Sequence, residues 1–217
     1  MSISVRRSLS LLSVVAALGC TSEGAKVARD SASVTAADTV PDVGPRPLGS
    51  VTIRLADGRS RRFVDHGEEE TIIRHRDDGR LPRVPIHVVF REMWEAWDYV
   101  LVDLRTGDSV VVPASPDPSP TGRRLAVTSM DFQNGFAPTI VEVWRVDADS
   151  IRLEWREKTG ESFPDNTGWG VSEWRWLDDS SAAIVRTVPR GEDGPHTSAP
   201  ARIERRDGRW RLVTPVP

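Results

Sequence analysis

Beyond its first ~50 residues, the chain alternates hydrophobic and polar residues with a period of two. This pattern is typical of β-strands that bury one face. Residues 151–156 show it most clearly, and Ile151, Leu153 and Trp155 are predicted to face one side of a sheet. The charged residues between them are predicted to face the other side. The pattern thus predicts β-strands and not helices over most of the chain.

Short turn-forming segments separate the alternating runs. Asp57-Gly58 and Asp207-Gly208 are the clearest, because the tight turn of a two-residue hairpin loop requires positive φ, which glycine adopts without strain. Further turns are predicted at residues 106–107, 147–150 and 178–180. Successive strands should therefore pair antiparallel with their neighbours in the sequence.

The runs between these turns define the predicted elements. Strands are predicted at residues 51–55, 59–64, 71–75, 84–90, 99–104, 110–112, 125–130, 139–146, 151–156, 171–177, 182–188, 201–206 and 209–214. The prolines of residues 113–120 are expected to end any regular ladder. Residues 93–98 are the one candidate for a helix and span less than two turns. The predicted fold class is all-β, an antiparallel meander of repeated hairpins.

The hairpin turns recur at a nearly regular interval. Those near Gly58, Gly107, Asp149 and Gly208 are separated by 49, 42 and 59 residues. A four-stranded blade of a β-propeller takes about 40–50 residues. The spacing predicts a propeller-like repeat domain of about four blades over residues 49–217. A β-sandwich or a partly open barrel built from the same meander is the alternative.

Two of the turns resemble a known repeat. Residues 119–126 read Ser-Pro-Thr-Gly-Arg-Arg-Leu-Ala and resemble the Ser-Pro-Asp-Gly-Arg-Arg-Leu-Ala signature of periplasmic TolB-type β-propeller repeats, with Thr121 where the family has Asp. Residues 176–180, Trp-Leu-Asp-Asp-Ser, resemble a second copy of the same turn. The resemblance covers about residues 99–200. It implies a WD-like β-propeller with a binding or scaffolding surface in the cell envelope, and it carries over no catalytic residues.

The N-terminal residues have the pattern of an export signal. Arg6 and Arg7 precede the apolar residues 9–18, a stretch about half as long as a membrane-spanning helix. It ends in Ala-Leu-Gly followed by Cys20, which resembles the lipobox of bacterial lipoproteins. The resemblance implies that residues 1–19 form a signal peptide and that Cys20 carries a lipid. Because Thr21 stands where enteric lipoproteins retained in the inner membrane carry Asp, it also favours the outer membrane, facing the periplasm or the cell surface.

The use of cysteine and the composition of the next residues agree with lipid anchoring. Cys20 is the only cysteine of the chain, and a lone thiol in an oxidising compartment is reactive unless it is modified. Residues 20–48 are rich in Ala, Ser, Thr, Asp and Pro and have no period of 2 or 3.6. Such a segment is expected to be a disordered tether between the membrane and the repeat domain.

Overall composition excludes some classes of protein. The chain has 217 residues, of which 38% are hydrophobic and 28% charged, typical of one globular domain with appendages. A mean hydropathy of -0.36 argues against a protein with many membrane spans. The net charge of -3 would become -5 once Arg6 and Arg7 were removed with the signal peptide. This charge argues against a nucleic-acid partner.

Residue types that carry catalysis or bind metals form no recognisable motif. The four histidines, His66, His75, His87 and His196, lack the spacing of a zinc site. Nucleophile, metalloprotease and phosphate-loop motifs are also missing. We therefore expect no metal, no cofactor and no catalytic activity.

Tryptophan is the most unusual component, with eight residues. Among those in predicted strands, Trp144, Trp155, Trp176 and Trp210 are expected to pack between sheets. Trp94, Trp97 and Trp169 lie near predicted loops, where binding sites on β scaffolds usually form. These three are the candidate ligand-binding residues, as a platform for a sugar ring or a partner protein.

The sequence therefore predicts a lipid-anchored binding or scaffold protein of the cell envelope, without catalysis. Its expected partners are the membrane, through the lipid on Cys20, and an envelope protein or glycan. The alternative is a carbohydrate-binding protein or weak carbohydrate-active hydrolase that uses loop tryptophans and carboxylates.

Overall fold

A computed structural model describes residues 48–132, 136–161, 167–190 and 196–213. The predicted signal peptide, Cys20 and nearly all of the predicted tether lie outside these residues. Within the described part, the chain forms β-strands and one 3₁₀ turn, Glu69–Thr71, so the all-β prediction is confirmed. No helix there is long and apolar enough to cross a membrane.

In the part of the chain that the structure describes, the strands form three four-stranded antiparallel sheets and two two-stranded ones, and none of these closes on itself. The hairpin layer consists of β1 (Ser50–Arg54) and β2 (Ser60–Val64). Sheet I has the order β3 (Arg74–Arg80), β4 (Ile86–Met93), β5 (Ala96–Asp103) and β6 (Ser109–Val112). Sheet II consists of β7 (Pro116–Pro118), β8 (Arg124–Ser129), β9 (Ile140–Val146) and β10 (Ile151–Lys158), in this order across the sheet.

Sheet III follows a small pair of strands, β11 (Gly160–Glu161) and β12 (Thr167–Gly168). Its order is β13 (Gly170–Asp178), β14 (Ser181–Val188), β15 (Thr197–Arg206) and β16 (Arg209–Val213). In each four-stranded sheet, every strand therefore pairs with its neighbours in the sequence. This is the meander that the spacing of the turns predicts.

Three hydrophobic clusters join the layers face to face. One lies between the hairpin layer and sheet I and includes Ile53 and Val102. The next lies between sheets I and II and includes Leu101 and Trp144. The third lies between sheets II and III, where Trp155, Trp169, Trp174, Trp176 and Trp210 surround buried aliphatic residues. The four tryptophans expected to pack between sheets therefore do so.

Both Asp-Gly turns have positive φ at the glycine, but only the second has the predicted two-residue loop. At the first, the Leu55 N–H donates to the Arg59 carbonyl at 2.8 Å, so the loop has three residues. Gly58 and Gly208 have φ of 87° and 79°, and Asp207 also has positive φ, at 50°. Arg206 pairs with Arg209 across this second turn, so the loop has two residues. Positive φ at both loop residues matches the right-handed twist of the two strands.

Three local predictions are wrong. Residues 93–98 do not form a helix: Met93 pairs with Ala96 around a two-residue turn between β4 and β5. The strand expected at residues 71–75 begins only at Arg74 and continues to Arg80. The proline-rich segment does not lack a ladder, because residues 116–118 form β7. This strand is the edge of sheet II, where proline is tolerated.

The alternation of residues 151–156 is also interrupted. A β-bulge shifts the register between Leu153 and Trp155. As a result, Ile151 packs in the cluster between sheets I and II, whereas Trp155 packs in the cluster between sheets II and III. An extra residue on one strand reverses the facing of everything beyond it, so the prediction that the three apolar residues face one side is wrong.

Candidate functional site

The layers have two different ends. We call one of them the turn end. It carries the hairpin connections β3–β4, β5–β6, β7–β8, β9–β10, β13–β14 and β15–β16. We call the opposite end, where β8 leads to β9 and β14 leads to β15 through longer segments, the loop end. The connections between successive sheets also lie at the loop end. Long connections on a rigid scaffold are common locations for binding sites.

An open cleft of about 480 Å³ lies at the loop end between sheets I and II. Sheet I contributes the β4–β5 hairpin and the end of β6, and sheet II contributes β9, β10 and the segment before β9. The lining residues are Met93, Ala96, Trp97, Asp98, Val111, Val112, Pro113, Phe136, Ala137, Pro138, Ile140, Glu142, Arg156 and Lys158. We refer to this feature as the edge cleft, because it follows an edge of sheet I.

The edge exists because β6 is shorter than β5. Tyr99 pairs with Val112, the last residue of β6, and the chain then leaves the sheet at Pro113. The first residues of β5, from Ala96 to Asp98, therefore extend past the end of β6. The sheet has a step at this point, and the cleft occupies it.

The apolar wall of the cleft is unusually exposed. Trp97 is 43% exposed, Phe136 46% and Val111 48%. Trp97 and Phe136 come from two separate segments, β5 and the segment before β9, which meet only in the folded chain. Val111 pairs with Val100 and therefore lies on the other face of sheet I, at the edge that borders the cleft. Clusters of exposed apolar side chains in a concave site are typical of sites that bind a ligand or a protein.

A buried carboxylate forms part of the cleft on the sheet II side. Glu142 is fully buried, and the Trp144 indole donates a hydrogen bond of 2.7 Å to its Oε2. Arg156 donates from Nε to the Oε1 of Glu142, also at 2.7 Å. A buried carboxylate requires such partners. The Arg156 side chain, about half exposed, therefore lies at the cleft, while the buried Glu142 carboxylate keeps its hydrogen-bond partners.

A second ion pair lies on the sheet I side of the cleft. Arg91 donates to both oxygens of Asp98, at 2.8 and 2.5 Å. The hydrogen bonds from Arg91 to Asp98 raise the pKa of Arg91 although burial opposes this. Both carboxylates of the cleft, Asp98 and Glu142, are therefore bound to arginine.

The three predicted ligand-binding tryptophans do not form one platform. Trp97 lines the edge cleft. Trp94 lies in the turn beside it, 55% exposed, and is not among the lining residues. Trp169 packs in the cluster between sheets II and III, where the Arg186 guanidinium lies 5.2 Å from its ring.

Sequence reasoning did not identify Phe136, Glu142 or Arg156. Glu142 had a usable signal, since it is the one charged residue in the apolar run 140–144. Its partner Arg156 is opposite it in the β9–β10 pairing. Phe136 follows a polar segment, and nothing in its neighbourhood marks it as part of a site.

The histidines serve local structure. His75 is buried with Asp65, whose Oδ1 accepts a hydrogen bond of 2.7 Å from the His75 backbone N–H. His87 Nε2 lies 2.6 Å from Asp77. Among the described residues, no group of three or more His, Asp or Glu could hold a metal ion.

Comparison with known proteins does not assign the chain to a family. No protein-family model, curated protein or solved structure matches the chain.

Proposed function

We propose that this chain is a lipid-anchored binding protein of the bacterial cell envelope, without catalytic activity, and that the edge cleft is its binding site. The observation that carries the proposal is the cleft itself, in which the exposed side chains of Trp97 and Phe136, from separate segments, lie beside the exposed edge of β6. Exposed apolar surface of this kind does not help the chain to fold, and it requires a ligand or partner to cover it.

The state of the carboxylates supports binding and not hydrolysis. A glycosidase needs one carboxylic acid that can donate a proton, together with a second carboxylate as base or nucleophile. In the edge cleft, Asp98 is paired with Arg91 and Glu142 with Arg156. Both carboxylates therefore already accept hydrogen bonds from arginine, and no further carboxylate is among the described residues that line the cleft.

Envelope location and membrane attachment rest on the N-terminal sequence. Cys20→Ala is expected to abolish incorporation of labelled fatty acid into the chain and to release it from membrane fractions, outer-membrane fractions above all. Labelling that persists in this variant would contradict anchoring through Cys20. The face-to-face succession of four-stranded meanders further supports a propeller-like arrangement of the sheets, as the repeat resemblance implies.

Carbohydrate binding is the second candidate, and Trp97 is the observation that favours it. An exposed indole beside charged groups can stack on a sugar ring while the charges bind its hydroxyls. A glycan and a protein segment would use the same apolar wall. The two therefore differ in which ligand binds, not in where it binds.

The test compares two tryptophans of the same hairpin. Trp97 lines the cleft and Trp94 does not, although both are exposed. The parent chain, Trp97→Ala and Trp94→Ala are each probed with an array of cell-wall oligosaccharides and an array of peptides from envelope proteins. We expect binding that Trp97→Ala weakens about tenfold or more and that Trp94→Ala leaves unchanged. A loss of one buried aromatic contact at the centre of an interface has this size.

Equal effects of the two substitutions, or none, would contradict the cleft as the site. Consumption of an oligosaccharide during the experiment would contradict the absence of catalysis.

A further inference from the structure

The edge cleft contains an unpaired strand edge in addition to its apolar wall. In the described residues, β6 pairs with β5 and with no other strand. Its outer side therefore presents backbone N–H and C=O groups that no neighbouring strand uses. Unpaired groups of this kind are a template for pairing with another chain.

The pairing pattern indicates which residues present these groups. The Asp103 N–H donates to the carbonyl of Asp108 at 2.8 Å, so these two residues form a hydrogen-bonded pair. In an antiparallel ladder, hydrogen-bonded and non-hydrogen-bonded pairs alternate. Val110 and Val112 therefore direct their backbone groups toward β5. Ser109 and Val111 direct theirs outward.

The lining of the cleft agrees with this assignment. Val111, Val112 and Pro113 line it consecutively, whereas β10 contributes only the alternate residues Arg156 and Lys158. Alternate residues share one face of a strand, so β10 presents a face. Consecutive residues of a strand can be reached together only from its edge, so β6 presents its edge.

We propose that the edge cleft binds an extended segment of a partner protein, which adds to sheet I as a further strand along β6. This inference rests on the proposed function and specifies its ligand. The segment would exchange ladder hydrogen bonds with the outward groups of Val111 and Ser109. This is the recognised mode of strand addition at an open sheet edge.

The same geometry sets the side-chain preference of the segment. Side chains alternate across a strand, so every second residue of the segment would face sheet II, where Phe136 and the Arg156–Glu142 pair lie. The residues between would face the Val111 side. We therefore expect apolar residues at alternate positions. A glycan has no regular series of amide donors and acceptors to match the edge, and the negative net charge of the chain opposes pairing of β6 with a second copy.

A proline substitution tests the edge without disturbing the sheet. Because the Val111 N–H points away from β5, Val111→Pro should remove an outward donor and keep the β5–β6 pairing. Val111→Thr is the matched control, since it changes the side chain and keeps the N–H. Both variants are made in the full mature chain, and circular dichroism and thermal midpoints verify their folding.

The probe is an array of nine-residue peptides with alternating apolar and polar residues. Each peptide is paired with a version N-methylated at every second amide. Val111→Pro is expected to weaken binding of the best peptides about tenfold, the effect of one lost ladder bond, and Val111→Thr by less than about threefold. N-methylation of the alternate amides that face β6 should abolish binding. Methylation of the amides between them, which face away from β6, should have little effect. This ligand arm stays decisive if Val111→Pro fails to fold.

Three results would overturn the proposal. Val111→Pro could bind the peptides as tightly as Val111→Thr, or N-methylation of either set of alternate amides could leave binding unchanged. Oligosaccharides could bind in place of peptides, and this binding could depend on Trp97 but not on the Val111 N–H. The edge cleft would then remain the binding site, but strand addition would be excluded. The parent chain could form a dimer that Val111→Pro dissociates, which would make the occupant a second copy.

Discussion

The turn end and the loop end are built from the same strands, but different interactions connect neighbouring sheets at each. At the turn end, polar contacts join every pair of neighbouring layers. Arg59 donates to the carbonyl of Thr106, Arg83 to that of Pro120 and Arg124 to that of Asp179. At the loop end, sheets I and II separate and leave the edge cleft.

This difference separates stability from binding within one stack of sheets. Tight turns have few residues and satisfy their backbone groups locally, so neighbouring turns can approach and exchange hydrogen bonds. At the loop end, the longer β8–β9 connection brings Phe136 to the surface at the cleft, opposite the two-residue β4–β5 turn. Substitutions at the turn end should therefore change the free energy of unfolding, and substitutions in the cleft should mainly change binding.

The largest loss of stability is expected from Gly122→Val. Gly122 has φ of 73°, and a Cβ there would lie 2.6 Å from the Arg83 carbonyl oxygen. The substitution combines backbone strain with a clash between the turns of sheets I and II, for a cost of about 3–5 kcal/mol in urea unfolding. Gly208→Val is the control, because Gly208 has φ of 79° with nothing closer than 3.9 Å. It should cost about 1–3 kcal/mol, from strain alone.

A Gly122→Val chain no less stable than Gly208→Val would show that the turns of sheets I and II do not need this close approach. An unchanged midpoint for Gly208→Val would contradict the Asp207-Gly208 turn.

The next effect concerns the ion cluster between sheets II and III. Arg124 donates to Glu154 at 2.6 Å, and Arg205 Nε lies 2.8 Å from the same carboxylate. Glu154→Ala would leave two arginines facing each other in a half-buried site, which should cost about 2–4 kcal/mol. Glu157→Ala, on the exposed part of the same strand, should cost less than about 0.5 kcal/mol.

Glu154 also predicts a pH dependence. Burial acts to raise the pKa of Glu154, but the hydrogen bonds and charge of Arg124 and the charge of Arg205 outweigh it, so the pKa lies below its ordinary value. The stabilisation is present above the unfolded pKa, about 4.3, and is lost as pH falls through the folded pKa. Urea midpoints of the parent and Glu154→Gln should therefore converge below about pH 4. A constant difference down to pH 2 would contradict this contribution.

Stability at the loop end should depend on pH through His75. Burial lowers the pKa of His75, and Asp65 opposes this without cancelling it, while the charges of Arg91 and His66 lower it further. Because the unfolded chain binds the proton more readily, stability should fall as pH drops below about 6.5, the unfolded pKa. His75→Gln should remove this part of the pH dependence between about pH 7.5 and 5.5. Parallel profiles for the parent and His75→Gln would contradict the assignment.

The strands and turns of this fold were predictable where the cause is local. The Asp207-Gly208 turn and most of the alternating runs act through residues close in sequence, and the structure confirms them, except for residues 151–156, where a bulge shifts the register. Edge strands were harder to predict, because they need no alternating apolar face. Residues 74–80 read Arg-His-Arg-Asp-Asp-Gly-Arg and still form β3, at the edge of sheet I.

The edge cleft could be predicted only in part. Trp97 was identified from its place near a loop, but the step in sheet I depends on where β6 ends relative to β5. Phe136 reaches the cleft through the tertiary arrangement of two sheets. The bulge at residues 153–155 likewise leaves the sequence pattern unchanged while it reverses the facing of Trp155. Each of these features depends on contacts between residues distant in sequence.

Apart from the Glu157→Ala control, the smallest change in stability is expected from Trp97→Ala, and it tests the separation of the two ends most directly. Burial of a Trp side chain contributes about 3–5 kcal/mol when the residue is in a core, but Trp97 is 43% exposed. If the loop end serves binding, loss of the Trp97 side chain should lower the free energy of unfolding in urea by no more than about 1 kcal/mol. Trp94→Ala, at 55% exposure, should behave alike. A loss of several kcal/mol for Trp97→Ala alone would show that the cleft wall holds sheets I and II together. The loop end would then carry stability as the turn end does, and binding could not be assigned to it on the grounds of surplus apolar surface.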